Sequence, residues 1–229
     1  SFNNKYGVPL SLFNLNPKHD YGVFEIGMDK KGEIDALSKI IKPDVGVITN
    51  ISYAHAKNFK NIKQIAMAKS EIINNIVANG TLVLNADDHF FSLHKKIAIK
   101  KKLKVLTFST TKKSNVRLKY IKKEKNKFKI SIIINNKNKF FYTSCEFKSF
   151  IKNLLAAIAI ISIFKDPTKL NKNIFYNLNF PKGRGDISKI RFKKKNIYLV
   201  DESYNSNPLS LKSAIENFNL IKTNNKKYM

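Results

Sequence analysis

Tryptophan is absent from the 229 residues, and cysteine occurs once, as Cys145. A lone thiol excludes an internal disulfide, and no Cys/His spacing has the pattern of a zinc site, so a reducing compartment fits best. No stretch approaches the ~18 apolar residues that a membrane-spanning helix needs. The N-terminus also lacks the basic and then apolar segments of a secretory signal. These absences together give a cytoplasmic expectation. Acidic residues are scarce as well, 16 against 43 basic ones, for a formal charge of +27.

Such a charge ordinarily points to nucleic acid or an anionic membrane. Here the lysines are spread along the whole chain and mixed with Asn and Ile, as in Lys122-Lys123-Glu124-Lys125-Asn126-Lys127. Clustered arginines and Gly-spaced aromatics are missing. The pattern therefore favours a compositional bias on solvated faces, with no specific nucleic-acid partner, although the field would also attract phosphate-rich small substrates. A hydrophobic fraction of 43%, with 17 Phe and 9 Tyr, places the chain among globular proteins long enough to bury a sizeable core. The chain opens at Ser1 without an initiator Met and closes on Lys227-Tyr228-Met229, where an apolar strand could begin. The expectation is a segment of a longer protein.

Periodicity predicts a first strand over Tyr21 to Ile26, carrying Glu25 near its C-terminal end, then a helical face over Gly32 to Ile41 that Pro43 ends. A strand over Val45 to Thr49 runs into Asn50 and a polar loop holding His55. A helix follows from about Ile62 to Val77, with Asn79-Gly80 as its stop signal. Next comes Thr81-Leu82-Val83-Leu84, leading into Asn85-Ala86-Asp87-Asp88. Strands that deliver polar groups at their C-terminal ends are the signature of an α/β fold with a mostly parallel sheet flanked by helices and a site along one sheet edge. From Lys104 to about residue 147 the rhythm changes to short strands joined by Asn/Lys turns, predicting a small antiparallel β insert. A very apolar helix over Ile151 to Phe164 should lie buried against the sheet. A final strand over Ile197 to Val200, a loop from Asp201 to Asn207 and a helix from Pro208 complete the order.

Glu25, His55 and Lys69 sit on separate elements and are residue types that a magnesium nucleotide site would use, though Mg²⁺ generally prefers oxygen ligands. On spacing alone the structural alternatives are favoured: a salt-bridged strand acid, a surface histidine and a solvated lysine.

Nine short motifs in register change that weighting. They are Asn3-Asn4-Lys5-Tyr6-Gly7-Val8-Pro9, Glu25-Ile26-Gly27-Met28, Gly32-Glu33-Ile34, the stretch Asn50 to His55, Ala68-Lys69-Ser70-Glu71, Leu84-Asn85-Ala86-Asp87-Asp88, Asn153-Leu154-Leu155-Ala156-Ala157, Gly183-Arg184, and Asp201-Glu202-Ser203-Tyr204-Asn205-Ser206-Asn207-Pro208. In this order the chain resembles the central domain of the Mur ligase family over nearly its whole length. The resemblance implies a P-loop NTPase-like fold and an ADP-forming peptide ligase. The opening and closing motifs are most similar to the family branch that adds D-Ala-D-Ala to UDP-N-acetylmuramoyl-tripeptide in cell-wall precursor synthesis. Carried over residue by residue, the resemblance places Mg²⁺ at Glu25 and His55 and a carbamylated lysine at Lys69. It sets Asn153 near adenine, Arg184 near the γ-phosphate of ATP and Asp201 near the ribose. Asn85 and Asp88 belong with the nucleotide end, Tyr204, Asn205 and Asn207 with the site lining, and Asn3 and Asn4 with the UDP-sugar substrate. Lys69, His55 and Arg184 are thus the implied catalytic groups, in an enzyme expected to be monomeric at full length.

Two departures from the family pattern stand out. No Gly-rich loop with Lys-Ser/Thr occurs in the chain, so the β- and γ-phosphates lack their backbone cradle here. Residues 1–229 are accordingly expected to be an incomplete central domain, inactive alone, with the UDP-binding domain, phosphate loop and C-terminal domain outside them. Ser149-Phe150 also stand where the family has His-Asn, which alters any adenine contact from that turn. The competing readings are another Mur or folylpolyglutamate-type ligase, and a basic nucleic-acid-binding protein.

Overall fold

A computed structural model describes residues 2–53, 58–178, 181–193, 195–204, 208–221 and 226–228. The fold is α/β, as the alternation of elements predicts. Six strands form one sheet in the order β1 (Val45–Ile48), β2 (Thr81–Asn85), β3 (Lys104–Ser109), β4 (Val116–Glu124), β5 (Lys127–Ile134) and β6 (Lys137–Thr143). The first four pair in parallel and the last three antiparallel. β2 is buried along its whole length, which is why TLVLN shows no polar alternation.

The antiparallel strands expected after β3 are present and continue the same sheet. β4 joins the parallel sheet by pairing Phe108 with Val116 and Ser109 with Arg117. Asp87 fixes that junction, its carboxylate accepting from Ser109 Oγ, Thr110 N, Thr110 Oγ1 and Thr111 Oγ1.

Helices cover both faces. On one, α6 (Lys148–Phe164) buries Ile151, Leu155, Ile158 and Ala159 against Val83, Phe108, Ile130, Ile132 and Phe141. The apolar run over residues 154–161 reflects that contact. On the other, α2 (Glu33–Ile41), α3 (Ile62–Ser70), the single turn α4 (Ile72–Asn75) and α5 (Phe91–Lys100) enclose Ile34, Ile65, Ile73, Leu82, Leu84 and Ala98. Val83 and its neighbours Leu82 and Leu84 point to opposite faces, as strand geometry requires. Removing one of these large side chains to Ala would cost about 2–5 kcal/mol.

Several expectations need correction. Tyr21 to Ile26 is not a strand: Val23 is 95% exposed, and the segment is tied down through Gly27 N donating to Asn3 O at 2.7 Å. A strand requires a ladder partner, and among the described residues none pairs with it. The single helix expected from Ile62 to Val77 is broken at Glu71, where the backbone tightens to i→i−3 bonds (Glu71 N to Ala68 O, Asn74 N to Glu71 O). Glu71 turns its carboxylate to Gly32 N and Asp35 N and so caps α2. Periodicity does not predict helix α5, because its apolar face is short and includes the buried His94. The strand expected at Ile197 to Val200 is β8 (Lys195–Asp201), paired antiparallel with the unforeseen β7 (Asp186–Phe192) in a two-stranded sheet of its own. Helix α7 (Pro208–Leu220) begins at the predicted proline.

Candidate active site

The C-terminal ends of β1 and β2 build the first cluster. Asn85, only 3% exposed at the end of β2, donates through Nδ2 to Thr49 O at 3.1 Å and accepts Asp87 N on its side-chain oxygen at 3.0 Å. It therefore holds the two strand ends in register. Asp88 accepts Ile51 N at 2.9 Å on one oxygen and Phe90 N at 2.8 Å on the other, joining the loop after β1 to the start of α5.

Lys69, in the last turn of α3, directs Nζ to Asn50 O at 3.4 Å. Burial pushes its pKa down, and the carboxylates of Asp88 and Glu25 pull it part-way back. The amine is thus half-buried at the edge of a carboxylate pair. Glu25 is exposed and accepts Asn3 Nδ2 at 2.9 Å. Asn3, Glu25 and the neighbouring Phe2, Ser11, Val23 and Phe24 line a small cleft of about 160 Å³. Asn4 acts locally, its side-chain oxygen accepting Tyr6 N and Gly7 N at the start of α1 (Gly7–Phe13).

A second cluster forms where the Gly183-Arg184-Gly185 turn meets the end of β8. Gly183 and Gly185 adopt φ of 72° and 87°, conformations that favour glycine. Gly185 N donates to Asp201 O at 2.7 Å, Tyr204 N to Gly183 O at 3.0 Å, and Gly183 N to Asp186 Oδ1 at 2.6 Å. The turn holds the Arg184 guanidinium 4.3 Å from the centre of the Tyr204 ring, a cation–π arrangement. Asp201 accepts Ser203 N at 2.9 Å, and hydrogen bonds from Ser203 lower its pKa.

Asn3, Glu25, Lys69, Asn85 and Asp88 thus gather at one end of the parallel strands, while Arg184, Asp201 and Tyr204 gather at the turn before β7. Asn153 stands exposed in the second turn of α6, and no hydrogen bond among the described residues draws it into either cluster. Phe150, in the first turn of the same helix, packs on the apolar core. His55, Asn205 and Asn207 lie outside the described residues. Sequence reasoning does not single out Asp87 and Glu71, because adjacent polar residues such as Asp87-Asp88 and Lys69-Ser70-Glu71 do not reveal which carboxylate turns to a neighbouring backbone.

Among the described residues no three His, Cys, Asp or Glu side chains converge closely enough to hold a metal ion. With an ammonium at Lys69, the space between Glu25 and Asp88 already contains a cation, and a divalent metal would be repelled. The donor set fits a metal only if that amine is neutralised or converted to an anion.

Residues 1–161 match the model of the Mur ligase middle domain. The chain belongs to the Mur ligase middle-domain family. Among its Mur ligase relatives is the UDP-N-acetylmuramoyl-tripeptide–D-alanyl-D-alanine ligase of Rickettsia prowazekii, 30% identical over 99% of this chain and 50% of the relative. The ligase of the same name from Buchnera aphidicola subsp. Acyrthosiphon pisum is 36% identical over 94% of this chain and 47% of its own. The MurF structure from Acinetobacter baumannii superimposes with a TM-score of 0.84 at 26% identity, covering 97% of this chain and 47% of that one. The chain spans about half the length of the curated Mur ligase relatives it matches.

Proposed function

We propose that all 229 residues belong to the central, ATP-binding part of a ligase that joins D-Ala-D-Ala to UDP-N-acetylmuramoyl-tripeptide, acting in the cytoplasm. One observation carries the chemistry: the half-buried Lys69 amine, with its lowered pKa, beside Glu25 and Asp88. Burial raises the fraction of neutral amine, the form that attacks CO₂. The N–C bond forms, a proton is released, and a cation becomes a carbamate anion. Glu25, the carbamate and His55 would then hold Mg²⁺, which supplies charge neutralisation at the ATP phosphates.

In this reading the tripeptide carboxylate attacks the γ-phosphate, ADP leaves, and the amine of D-Ala-D-Ala displaces phosphate from the acyl phosphate. No protein nucleophile is required. Arg184 is held by its glycine turn and by Tyr204 to offset charge on the transferring phosphoryl group, the kind of positioning from which phosphoryl transfer gains most of its rate. Asp201 serves the ribose, Asn153 the adenine, and Asn3 the UDP-sugar substrate from the Glu25 cleft, with Asn4, Asn205 and Tyr204 beside them. Asn85 and Asp88 shape the nucleotide end through the strand ends they hold. The relatives named for this reaction support the choice of amine.

The test is ATP-dependent phosphate release by the protein extended to the relatives' length, with both substrates, beside its Lys69→Ala variant. Release that needs both substrates and falls by at least about a hundredfold in the variant supports the reading. Unchanged release in the variant would remove Lys69 from the site. No release from folded protein would favour another ligase of this fold.

A further inference from the structure

Across the side of α3 turned away from Lys69 lies a groove of about 870 Å³. Met67 precedes Lys69 by two residues and so points about 200° from it around the helix. The groove and the candidate active site therefore occupy opposite sides of one helix. The groove floor is apolar, formed by Phe59, Met67 and Ile97. Two pairs of exposed lysines flank it: Lys30 and Lys31 in the loop before α2, and Lys100 and Lys101 at the end of α5.

Two carboxylates near this loop are engaged with its backbone and the start of α2. Glu71 accepts Gly32 N at 2.9 Å and Asp35 N at 3.2 Å, and Glu33 accepts Asp29 N at 2.6 Å and Lys30 N at 2.9 Å. They fix the loop that presents Lys30 and Lys31. Lys101 reaches Asn74 O at 3.4 Å across the groove. With four lysines and one glutamate, the described lining carries a net charge of 4 − 1 = +3 around an apolar floor. Its volume lies in the range of small-molecule sites.

We propose that this groove is a second ligand site, for a phosphorylated small molecule with a planar or apolar body, of the nucleoside diphosphate class. The phosphates lie among the lysines, and the ring system covers Phe59 and Met67. The site does not depend on the ligase reading, although a ligand bound there would rest on the helix that carries Lys69.

Calorimetric titration of the full-length protein with ADP tests this, comparing wild type with Lys30→Glu/Lys100→Glu and with Phe59→Ala. All three changes lie at the surface or groove floor, and circular dichroism checks that each variant is folded. The groove site should weaken by at least about tenfold on charge reversal, lose affinity in Phe59→Ala, and weaken with added salt. A single ADP site that survives charge reversal would overturn the proposal and leave the ligase reading standing. A single site abolished by charge reversal would support the groove while counting against a nucleotide site at the strand ends. Inorganic tripolyphosphate provides the last arm: binding as tight as that of ADP, and unaffected by Phe59→Ala, would overturn the assignment to a ligand with a ring system.

Discussion

Replacing Asp87 with Asn should destabilise the fold, because one carboxylate closes the junction between the parallel and antiparallel halves of the sheet. Its Oδ1 accepts Ser109 Oγ at 2.5 Å and Thr111 Oγ1 at 2.7 Å; its Oδ2 accepts Thr110 N at 2.6 Å and Thr110 Oγ1 at 2.8 Å. Partial burial pushes this carboxyl's pKa up, but the donors from Ser109, Thr110 and Thr111 outweigh it and hold the group well below the usual carboxylate range. An amide keeps one acceptor oxygen and turns an NH₂ toward the other donors. The hydroxyls can rotate away, whereas Thr110 N cannot. Hydrogen bonds to a charged group contribute about 1.5–3 kcal/mol each, so the net loss should be about 2–4 kcal/mol. The sign with pH follows from the depressed folded pKa. The wild-type advantage is fully present above the unfolded value of about 3.9 and is lost as pH falls through the folded one. Urea unfolding should show a constant gap between wild type and Asp87→Asn from pH 7 to 5, narrower by about 1 kcal/mol at pH 3. A gap below about 0.5 kcal/mol at neutral pH, or one that widens in acid, would refute the reasoning, since that is the range of an ordinary surface substitution.

Three further outcomes follow from other parts of the molecule. His94 is 1% exposed, contacts Ala66 O through Nε2 at 3.0 Å, and has its pKa lowered by burial. It should erode stability as pH falls below about 6.5, and His94→Gln should flatten that part of a urea-midpoint profile. Gly183→Ala forces a Cβ to 2.9 Å from Tyr204 N at a φ of 72°. It should cost about 1–2 kcal/mol and raise amide exchange at Tyr204 and Gly185, with unchanged exchange counting against the strain argument. The 229 residues expressed alone should be poorly soluble, because Ile190, Phe192, Ile197, Tyr198 and Leu199 are each at least 42% exposed on the β7–β8 hairpin; a well-behaved soluble monomer by analytical ultracentrifugation would refute this.

Most of the α/β core was legible because burial leaves a local record. β2 is apolar at its three central residues since helices cover both faces of the sheet, and α6 carries a long apolar run, residues 154–161, where it lies on the sheet. What was not legible depends on contacts distant in the chain. Tyr21 to Ile26 has the composition of a strand, but a strand exists only through a partner, and composition carries no information about that partner. The break at Glu71 is invisible in helical periodicity because its cause, the cap on α2, lies 39 residues away. β7 leaves no such record, since Asp186–Phe192 mixes polar and apolar residues without strict alternation, and every residue after Asp186 is exposed.

At the candidate site, residue types were easier to anticipate than the roles of individual side chains. Lys69, Asp88 and Glu25 do share one electrostatic environment. Yet Asn85, Asp88 and Asn4 devote much of their hydrogen-bonding capacity to the backbone of neighbouring loops. Such a residue can shape a nucleotide site without touching the nucleotide, and substitution at Asn85 should then disturb stability and affinity together. Lys69 differs: among the described residues its amine makes one long contact, to Asn50 O, and its burial is not matched there by a short ion pair. A half-buried cation held so loosely contributes little to folding. Placing it beside two carboxylates is hard to account for as structure alone, which is why the proposed reaction is most sharply tested at that residue.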